Sequence, residues 1–326
     1  MGTLRFLLAV FVLLSHAGLR VQGLNPGVVA VFVFYAISGY VMAALIQRHY
    51  AAPAKTLHFY GDRLLRIYPQ YAFYALGAAA WLFTFGHPTS FLAPDPSALE
   101  WANNLLIVPL NYFMYNGADR FTLVPPAWSL GAELAFYVLA PWLWRKWPWA
   151  LALGAISVGV AVLAWHDVLQ SDWWGYRLLP GVLWVFLLGM ALHRYQQSHP
   201  TASHRAVFCL PLLAIGAAWY LNYRGHLALP YIRETLVGVG LGVPLVYGLS
   251  KHGFAHGRLQ SLDAALGDAS YGIFLNHFLF IWCLDLGAPQ AWHDWALLLT
   301  ASVAASVLTQ RWLERPVLRW RRYLRL

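Results

Sequence analysis

The chain has 326 residues, of which 60% are hydrophobic and only 11% are charged. Soluble domains carry about 25% charged residues, so this chain cannot cover the surface of a soluble globule of its size. The same composition excludes disordered, collagenous and coiled-coil proteins. The sequence therefore predicts an all-α membrane protein, in which the excess of 22 Lys and Arg over 13 Asp and Glu reflects orientation in the bilayer rather than binding of nucleic acid.

Ten apolar runs are long enough to cross a bilayer core of about 30 Å, which takes roughly 20 helical residues, or somewhat fewer where flanking groups snorkel. They cover residues 4–19, 27–46, 67–85, 128–144, 149–165, 178–192, 206–221, 231–249, 267–286 and 295–312. An even number of spans puts both termini on one side of the membrane. A cytoplasmic N-terminus places 17 of the 22 basic residues on the inner face, as the positive-inside rule requires.

The sequence thus predicts a polytopic protein of the cytoplasmic membrane, with both termini in the cytoplasm. Residues 1–326 are expected to form a single membrane-embedded domain without a fused extracytoplasmic domain. A cleaved signal peptide is the alternative for the first run, because Arg5 precedes an apolar stretch of suitable length. The histidine within that stretch, and the odd number of spans that cleavage would leave, favour a retained helix.

The first predicted helix carries two ionisable residues on one face. Arg5 and His16 are 11 residues apart, which on an α-helix is a rise of about 16 Å and about three turns. Ionisable groups inside a membrane span are costly and indicate function, although a histidine can also pair helices. Because histidine is the usual general base, we predict that His16 carries the chemistry.

Two arginines precede the third apolar run. Arg63 and Arg66 are three residues apart and project together from a helix. Two guanidinium groups at the cytoplasmic entrance can bind a phosphate bidentately. The alternative is that the two arginines only anchor the helix at the cytoplasmic face, as the positive-inside rule describes. Considered as charges alone, they favour this alternative over phosphate binding.

A carboxylate lies in the fourth apolar run, at a depth similar to that of His16. Glu133 is about one and a half turns below the outer end of its span. A carboxylate bonded to an imidazole fixes its tautomer and stabilises its protonated form, so we predict that Glu133 supports His16. Alternatively, Glu133 pairs with an arginine to hold helices together. Asn276 and His277 either line the same cavity or bond between helices.

The remaining candidates carry weaker signals. Cys209 and Cys283 each lie in an apolar run, so neither a disulfide nor a thiolate metal site is expected. His252 and His256 have a spacing compatible with metal binding, but adjacent glycines disfavour a helix and no acidic partner adjoins them, so no metal site is predicted. The arginines from Arg311 onward are predicted to contact anionic lipid.

Six motifs resemble, in order, those of the acyltransferase-3 family of integral membrane acyltransferases. Arg5 and His16 resemble the family's arginine, ten residues and histidine on the first span. The other segments are 34–40, similar to FFxxSGF/Y; 63–69, similar to RxxRIxP; 128–137, similar to WSLxxExxFY; 267–277, similar to LGxxSYxIYLxH; and 314–316, similar to ExP. Gly61 and Asp62 stand where members often carry basic residues, and Phe274 replaces a common tyrosine.

This resemblance implies transfer of an acyl group, usually acetyl, from cytoplasmic acyl-coenzyme A to a hydroxyl of a carbohydrate or glycolipid acceptor at or beyond the outer face. Acyl-coenzyme A is then a co-substrate, and no permanently bound cofactor is expected. The catalytic residues are predicted to be His16 and Glu133, the donor-binding residues Arg5, Arg63 and Arg66, and further cavity-lining residues Ser129, Tyr68, Tyr271 and His277.

Two questions stay open at the level of sequence. His16 acts either as a general base in direct transfer or as a nucleophile that forms an acyl-histidine intermediate. The alternative class of function is a proton-coupled transporter or flippase that uses His16 and Glu133 as a proton relay.

Overall fold

A computed structural model of the chain describes residues 1–86, 89–199, 216, 219–220, 223–225, 229–251, 257–287, 289 and 291–321. This part of the chain is helical, with isolated β-bridges in its connections. The α-helices described are α1 Gly2–His16, α2 Pro26–His49, α3 Thr56–Phe85, α4 Ala98–Leu106, α5 Phe113–Asn116, α6 Ala127–Arg145, α7 Trp147–Trp165, α8 Leu179–Ser198, α9 Ile232–Lys251, α10 Arg258–Cys283, α11 Trp292–Thr309 and α12 Arg315–Arg321. Short π-helical turns occur at Trp173–Arg177 and Gln310–Glu314.

Five of the described helical segments are long and apolar enough to cross a membrane, which confirms an all-α, multi-pass membrane protein. They are Pro26–His49, Trp147–Trp165, Trp173–Ser198, Ile232–Ser250 and Trp292–Trp320. The predicted runs at 67–85, 128–144 and 267–286 lie largely in α3, α6 and α10, whose polar and aromatic side chains lower their mean hydropathy. The run at 206–221 falls mostly outside the described residues, so the count of ten and the position of the termini stay predictions.

Helix α2 lies in the centre of the bundle and packs closely against α8 through glycine. A Cβ atom on Gly39 would be 1.8 Å from the carbonyl oxygen of Phe186, and one on Gly189 would be 2.1 Å from that of Ala36. Small residues let the backbones of membrane helices approach. Gly39 thus serves helix packing, while its neighbour Ser38 faces another helix, as described below.

Helix α1 is held beside α10 by Asp263. The carboxylate of Asp263 accepts hydrogen bonds from the backbone N–H of Gly2 at 3.0 Å and from both the backbone N–H and hydroxyl of Thr3 at 2.8 Å. These bonds satisfy donors that the first turn of a helix leaves unpaired. With its beginning fixed in this way, α1 runs along α10 and brings its last residue, His16, to His277 near the end of α10.

Asn276 bonds between helices rather than lining a cavity. Its amide nitrogen donates to the carbonyl oxygen of Ser302 in α11 at 2.9 Å, and its amide oxygen accepts from the Ser302 hydroxyl. The same amide donates to the Tyr74 hydroxyl of α3 at 3.3 Å. Successive residues of a helix are rotated by about 100°, so the side chain of His277 points away from this network and contacts α1.

The connection between α3 and α6 is stabilised by Glu100. Its carboxylate accepts from the Ser97 backbone N–H at 2.7 Å, completing a capping box at the start of α4. It also accepts from the Arg120 guanidinium at 2.8 Å and 3.1 Å. The hydrogen bond from Arg120, followed by those from Ser97, lowers the pKa of Glu100 to about 2 from its ordinary 4.5.

We expect this depressed pKa to make part of the stability pH-dependent. The contribution of the Glu100 carboxylate is fully present above pH 4.5 and disappears as the pH falls towards 2, because in this range the unfolded carboxyl binds a proton while the folded one, beside Arg120, does not. The Tm difference between the wild type and Glu100→Gln, measured by thermal unfolding in detergent, should therefore shrink as the pH is lowered from 7 to 3. A difference that is constant over this range contradicts the assignment.

Candidate active site

His16 and His277 form a hydrogen-bonded pair. Nδ1 of His16 lies 3.0 Å from Nε2 of His277. The two rings are within 14° of parallel and their centroids are 5.1 Å apart, so the bond joins them edge to edge. His277 is completely buried, whereas His16 is exposed on the wall of a cavity.

The hydrogen-bond partners fix the tautomers of the two rings. Nδ1 of His277 lies 3.0 Å from the carbonyl oxygen of Ile273. A carbonyl only accepts, so this Nδ1 carries the hydrogen and Nε2 of neutral His277 is an acceptor. His16 must then donate from Nδ1, which leaves a lone pair on its Nε2. The arrangement therefore presents Nε2 of His16 as the basic atom.

The cavity beside His16, named here the histidine cavity, has a volume of about 340 Å³. Aromatic rings form much of its wall, and Asn25, Asp119 and Arg177 add polar groups; the aromatic residues are Phe91, Phe113, Trp128, Tyr176, Tyr231, Phe274 and Phe278. A mostly apolar wall with a few polar groups is typical of a small-molecule site, and the volume is at the lower end of the usual range of about 300–1,000 Å³.

Arg177 is held rigidly in the wall of the histidine cavity. Its Nε donates to the carboxylate of Asp172 at 2.8 Å, and its guanidinium carbon lies 4.5 Å from the ring centroid of Trp128. Among the described residues its Nη atoms have no hydrogen-bond acceptor, so they are available to a ligand. Arg177 is not among the residues predicted from the sequence; the only signal there is the aromatic residues beside it in the turn Trp173–Arg177.

A second cavity, of about 170 Å³, is lined by the three arginines predicted to bind the donor and by Glu133. We name it the arginine cavity. Arg5 comes from α1, Arg63 and Arg66 from α3, and Glu133 from α6. The structure therefore brings together four predicted residues that are up to 128 positions apart in the sequence.

The three guanidinium groups differ in their partners. Arg63 forms an ion pair with Asp62, and Arg66 forms one with Glu314. Asp62 stands where the family resemblance expects a basic residue, and it positions Arg63 by this contact. The side chain of Arg5 has no hydrogen-bonded or ion-paired partner in the described part of the chain. Arg5 is therefore the cation of this cavity that is most available to an anionic ligand.

Glu133 faces α2 rather than α1. Its Oε1 accepts from the hydroxyl of Ser38 at 2.6 Å and from that of Tyr137 at 2.5 Å. This arrangement replaces the predicted contact between Glu133 and His16, whose hydrogen-bond partner is His277. Spacing along a helix gives the depth of Glu133 but not which neighbouring helix it faces, and depth was the only basis for that pairing.

The other predicted lining residues are divided between several positions. Ser129 lines both cavities, and Tyr271 lines the arginine cavity while its hydroxyl donates to the carbonyl of Ile67 at 3.0 Å. Tyr68 lies outside the lining of both cavities, and its hydroxyl donates to the carbonyl of Leu106 at 3.2 Å.

Metal-binding side chains are not clustered within the described ranges, which contain no group of three or more His, Cys, Asp or Glu that could hold a metal ion. His252, His256 and Cys209 lie outside these ranges. Cys283 is a free, exposed cysteine.

The chain is similar to one family model and to several known proteins. A family model described as an acyltransferase domain matches residues 2–311. Over 166 residues the chain is 38% identical to an uncharacterized protein of Aquifex aeolicus (strain VF5), covering 50% of this chain and 72% of that protein. It is 27% identical over 317 residues, 90% of each chain, to the exopolysaccharide production protein ExoZ of Rhizobium meliloti (strain 1021). It is 24% identical over 279 residues, 78% of this chain and 68% of the other, to the acyltransferase MdmB of Streptomyces mycarofaciens. No solved structure matches the chain significantly.

Proposed function

Since the chain belongs to the acyltransferase-3 family of membrane acyltransferases, we propose that it transfers an acyl group, most simply acetyl, from cytoplasmic acyl-coenzyme A to a hydroxyl of a carbohydrate-type acceptor at or beyond the outer face of the inner membrane. A single observation carries this proposal. A cavity lined by three arginines and a cavity containing a histidine base lie next to each other along one face of α1.

The length of α1 suits the donor. Arg5 and His16 are separated by a rise of about 16 Å. The pantetheine arm between the phosphates and the sulfur of coenzyme A has about 13 chain atoms, which is as many as just over four residues of peptide backbone. An extended chain of that length reaches about 15 Å, at about 3.3–3.6 Å per residue. Phosphates bound near Arg5, Arg63 and Arg66 therefore leave the thioester within reach of His16.

The tautomers of the histidine pair define the proton transfer. Nε2 of His16 accepts the proton of the acceptor hydroxyl while the hydroxyl oxygen attacks the thioester carbonyl carbon. The new C–O bond forms, the C–S bond breaks, and the thiolate of coenzyme A takes the proton from His16. Throughout, Nδ1–H of His16 remains bonded to His277. A nucleophilic route through acyl-histidine uses the same lone pair and is distinguished by ping-pong kinetics.

The histidine cavity suits a carbohydrate acceptor. Its aromatic rings offer flat apolar surfaces, while Asp119 can accept and Arg177 can donate hydrogen bonds to hydroxyl groups. The similarity to an exopolysaccharide production protein over 90% of both chains supports this class of acceptor. Glu133, with its Oε1 bonded to two hydroxyls, is assigned to the donor side, where it balances the charge of the arginines.

A direct test compares cell-envelope glycans from cells with and without the protein by mass spectrometry. We expect a mass difference of one acyl group per modified sugar, with release of free coenzyme A when acetyl-coenzyme A is supplied to membrane vesicles. A transporter or flippase would instead move its solute without consuming acyl-coenzyme A. The placement of His16 and Glu133 in separate cavities also disfavours a direct proton relay between them.

Donor binding is tested most cleanly at Arg5. Arg5→Gln removes a cation without leaving a buried carboxylate unpaired, whereas Arg66→Gln would strand Glu314 and so requires Glu314→Gln beside it. We expect Arg5→Gln to weaken acetyl-coenzyme A binding by about 10- to 100-fold, because a hydrogen bond to a charged group contributes about 1.5–3 kcal/mol. Isothermal titration calorimetry of the protein in nanodiscs measures this change.

The matched control is Arg20→Gln. Arg20 lies beyond the other end of α1, and its guanidinium donates to the backbone carbonyls of Ser15 and Leu19. The affinity for acetyl-coenzyme A should change less than twofold in this variant. Equal donor affinities in Arg5→Gln and the wild type would remove Arg5 from the donor site.

A further inference from the structure

Three side chains form a shared wall between the two cavities. Val31 of α2, Ser129 of α6 and Phe274 of α10 line both the histidine cavity and the arginine cavity. Each of them is at most 7% exposed. The wall is thus one side chain thick and is built from three different helices.

The position of this wall matters for the proposed function, on which the present inference rests. In that function the donor phosphates bind in the arginine cavity, and the base, His16, lines the histidine cavity. The acyl group must therefore pass between Val31, Ser129 and Phe274 to reach the acceptor. The size of the opening between these three side chains therefore limits which acyl groups can be transferred.

Phe274 is the member of the wall that can open it. The hydroxyl of Ser129 is tied to the carbonyl of Pro126 at 3.0 Å, and β-branched Val31 has little χ1 freedom in a helix. The ring of Phe274 instead packs edge-on between Phe34 on the arginine side, at a centroid distance of 6.3 Å, and His277 on the histidine side, at 6.5 Å. Its ring thus contacts both sides of the wall, and neither a hydrogen bond nor a β-branch holds it in place.

The volumes on either side restrict the size of the acyl group. The arginine cavity, at about 170 Å³, is smaller than ordinary small-molecule sites, and the histidine cavity, at about 340 Å³, must also hold part of the acceptor. A short acyl group fits this space beside the acceptor, whereas a medium or long chain does not.

We propose that Val31, Ser129 and Phe274 form an acyl-size filter, with Phe274 as its movable part, which restricts the enzyme to acetyl and similarly short acyl groups. Replacing Phe274 by alanine removes the ring from the wall. Hydrophobic pockets discriminate by about 10- to 200-fold per methylene group. The ratio of kcat/KM for octanoyl- over acetyl-coenzyme A should therefore rise at least tenfold in Phe274→Ala.

The experiment measures coenzyme A release from acetyl-, butyryl- and octanoyl-coenzyme A in membrane vesicles from cells that make the native acceptor. Phe274→Tyr retains the ring and should keep the wild-type ratio. Phe280→Ala, which removes a ring from the same helix at a position that lines neither cavity, should change the ratio less than twofold.

A variant that narrows the opening between the two cavities keeps the proposal testable if Phe274→Ala does not fold. Val31→Phe should still bind acetyl-coenzyme A by calorimetry but turn it over at least tenfold more slowly. Wild-type turnover of acetyl-coenzyme A together with an unchanged chain-length ratio in Phe274→Ala, or normal turnover by Val31→Phe, overturns the filter. Absence of coenzyme A release by the wild type with every donor overturns the proposed function instead.

Discussion

Replacing His16 by alanine is expected to lower acyl transfer by about 10²- to 10⁴-fold, which is the usual contribution of a general base. The variant should still insert into the membrane and bind acyl-coenzyme A, because His16 faces a cavity and the three arginines lie in the neighbouring one. Transfer of labelled acetyl from acetyl-coenzyme A to envelope glycans in membrane vesicles measures the rate. Calorimetry of the purified variant shows whether donor binding survives.

His293 provides a matched control for this experiment. It is an exposed histidine at the beginning of α11, 3.3 Å from Asp294, and lines neither cavity. His293→Ala should keep wild-type transfer. Product formation by His16→Ala at the rate of the His293 variant would exclude His16 as the base.

Replacing His277 by phenylalanine is expected to have the second largest effect, a loss of about 100-fold or more in kcat with little change in the KM for the donor. Phenylalanine fills the buried site but cannot accept the hydrogen bond from Nδ1 of His16. Without that acceptor, His16 is free to rotate or to change tautomer, which in a serine protease triad costs about 10⁴-fold. His277 is thus a positioning residue, and its effect should appear in kcat.

A second substitution at the same site separates positioning from packing. Glutamine can accept from His16 and donate to the carbonyl of Ile273, as His277 does. His277→Gln should therefore recover part of the activity that His277→Phe loses. A loss of kcat in Glu133→Gln, with none in His277→Phe, would restore the pairing predicted from the sequence.

The sequence was most informative about single helices. Predicted runs at 27–46, 128–144 and 149–165 agree with helices α2, α6 and α7 to within a few residues, because a lipid-crossing helix needs one continuous apolar stretch. The start of α3 was less accurate. This helix begins at Thr56 and carries Arg63 and Arg66 within it, since a helix continues into polar sequence that a hydropathy pattern excludes.

The polar connection from 86 to 127 shows a further limit. It contains α4, α5 and short 3₁₀ turns, which are held by the Ser97 cap and by contacts between distant residues such as Glu100 and Arg120. Such short segments gain their stability from tertiary contacts rather than from helix propensity. Arg177 is a similar case, because the aromatic residues beside it in the sequence do not show that its guanidinium packs against Trp128 and lines a cavity.

By itself, the sequence determined the membrane class, the shared face of Arg5 and His16, and the family, because helical periodicity and motif order depend on local spacing alone. The tertiary structure decided which residues meet. It paired His16 with His277 instead of Glu133, assigned Asn276 to helix packing, and placed Val31, Ser129 and Phe274 between two cavities. Those contacts depend on how each helix is rotated and on which helices are neighbours, and side-chain packing between distant segments sets both.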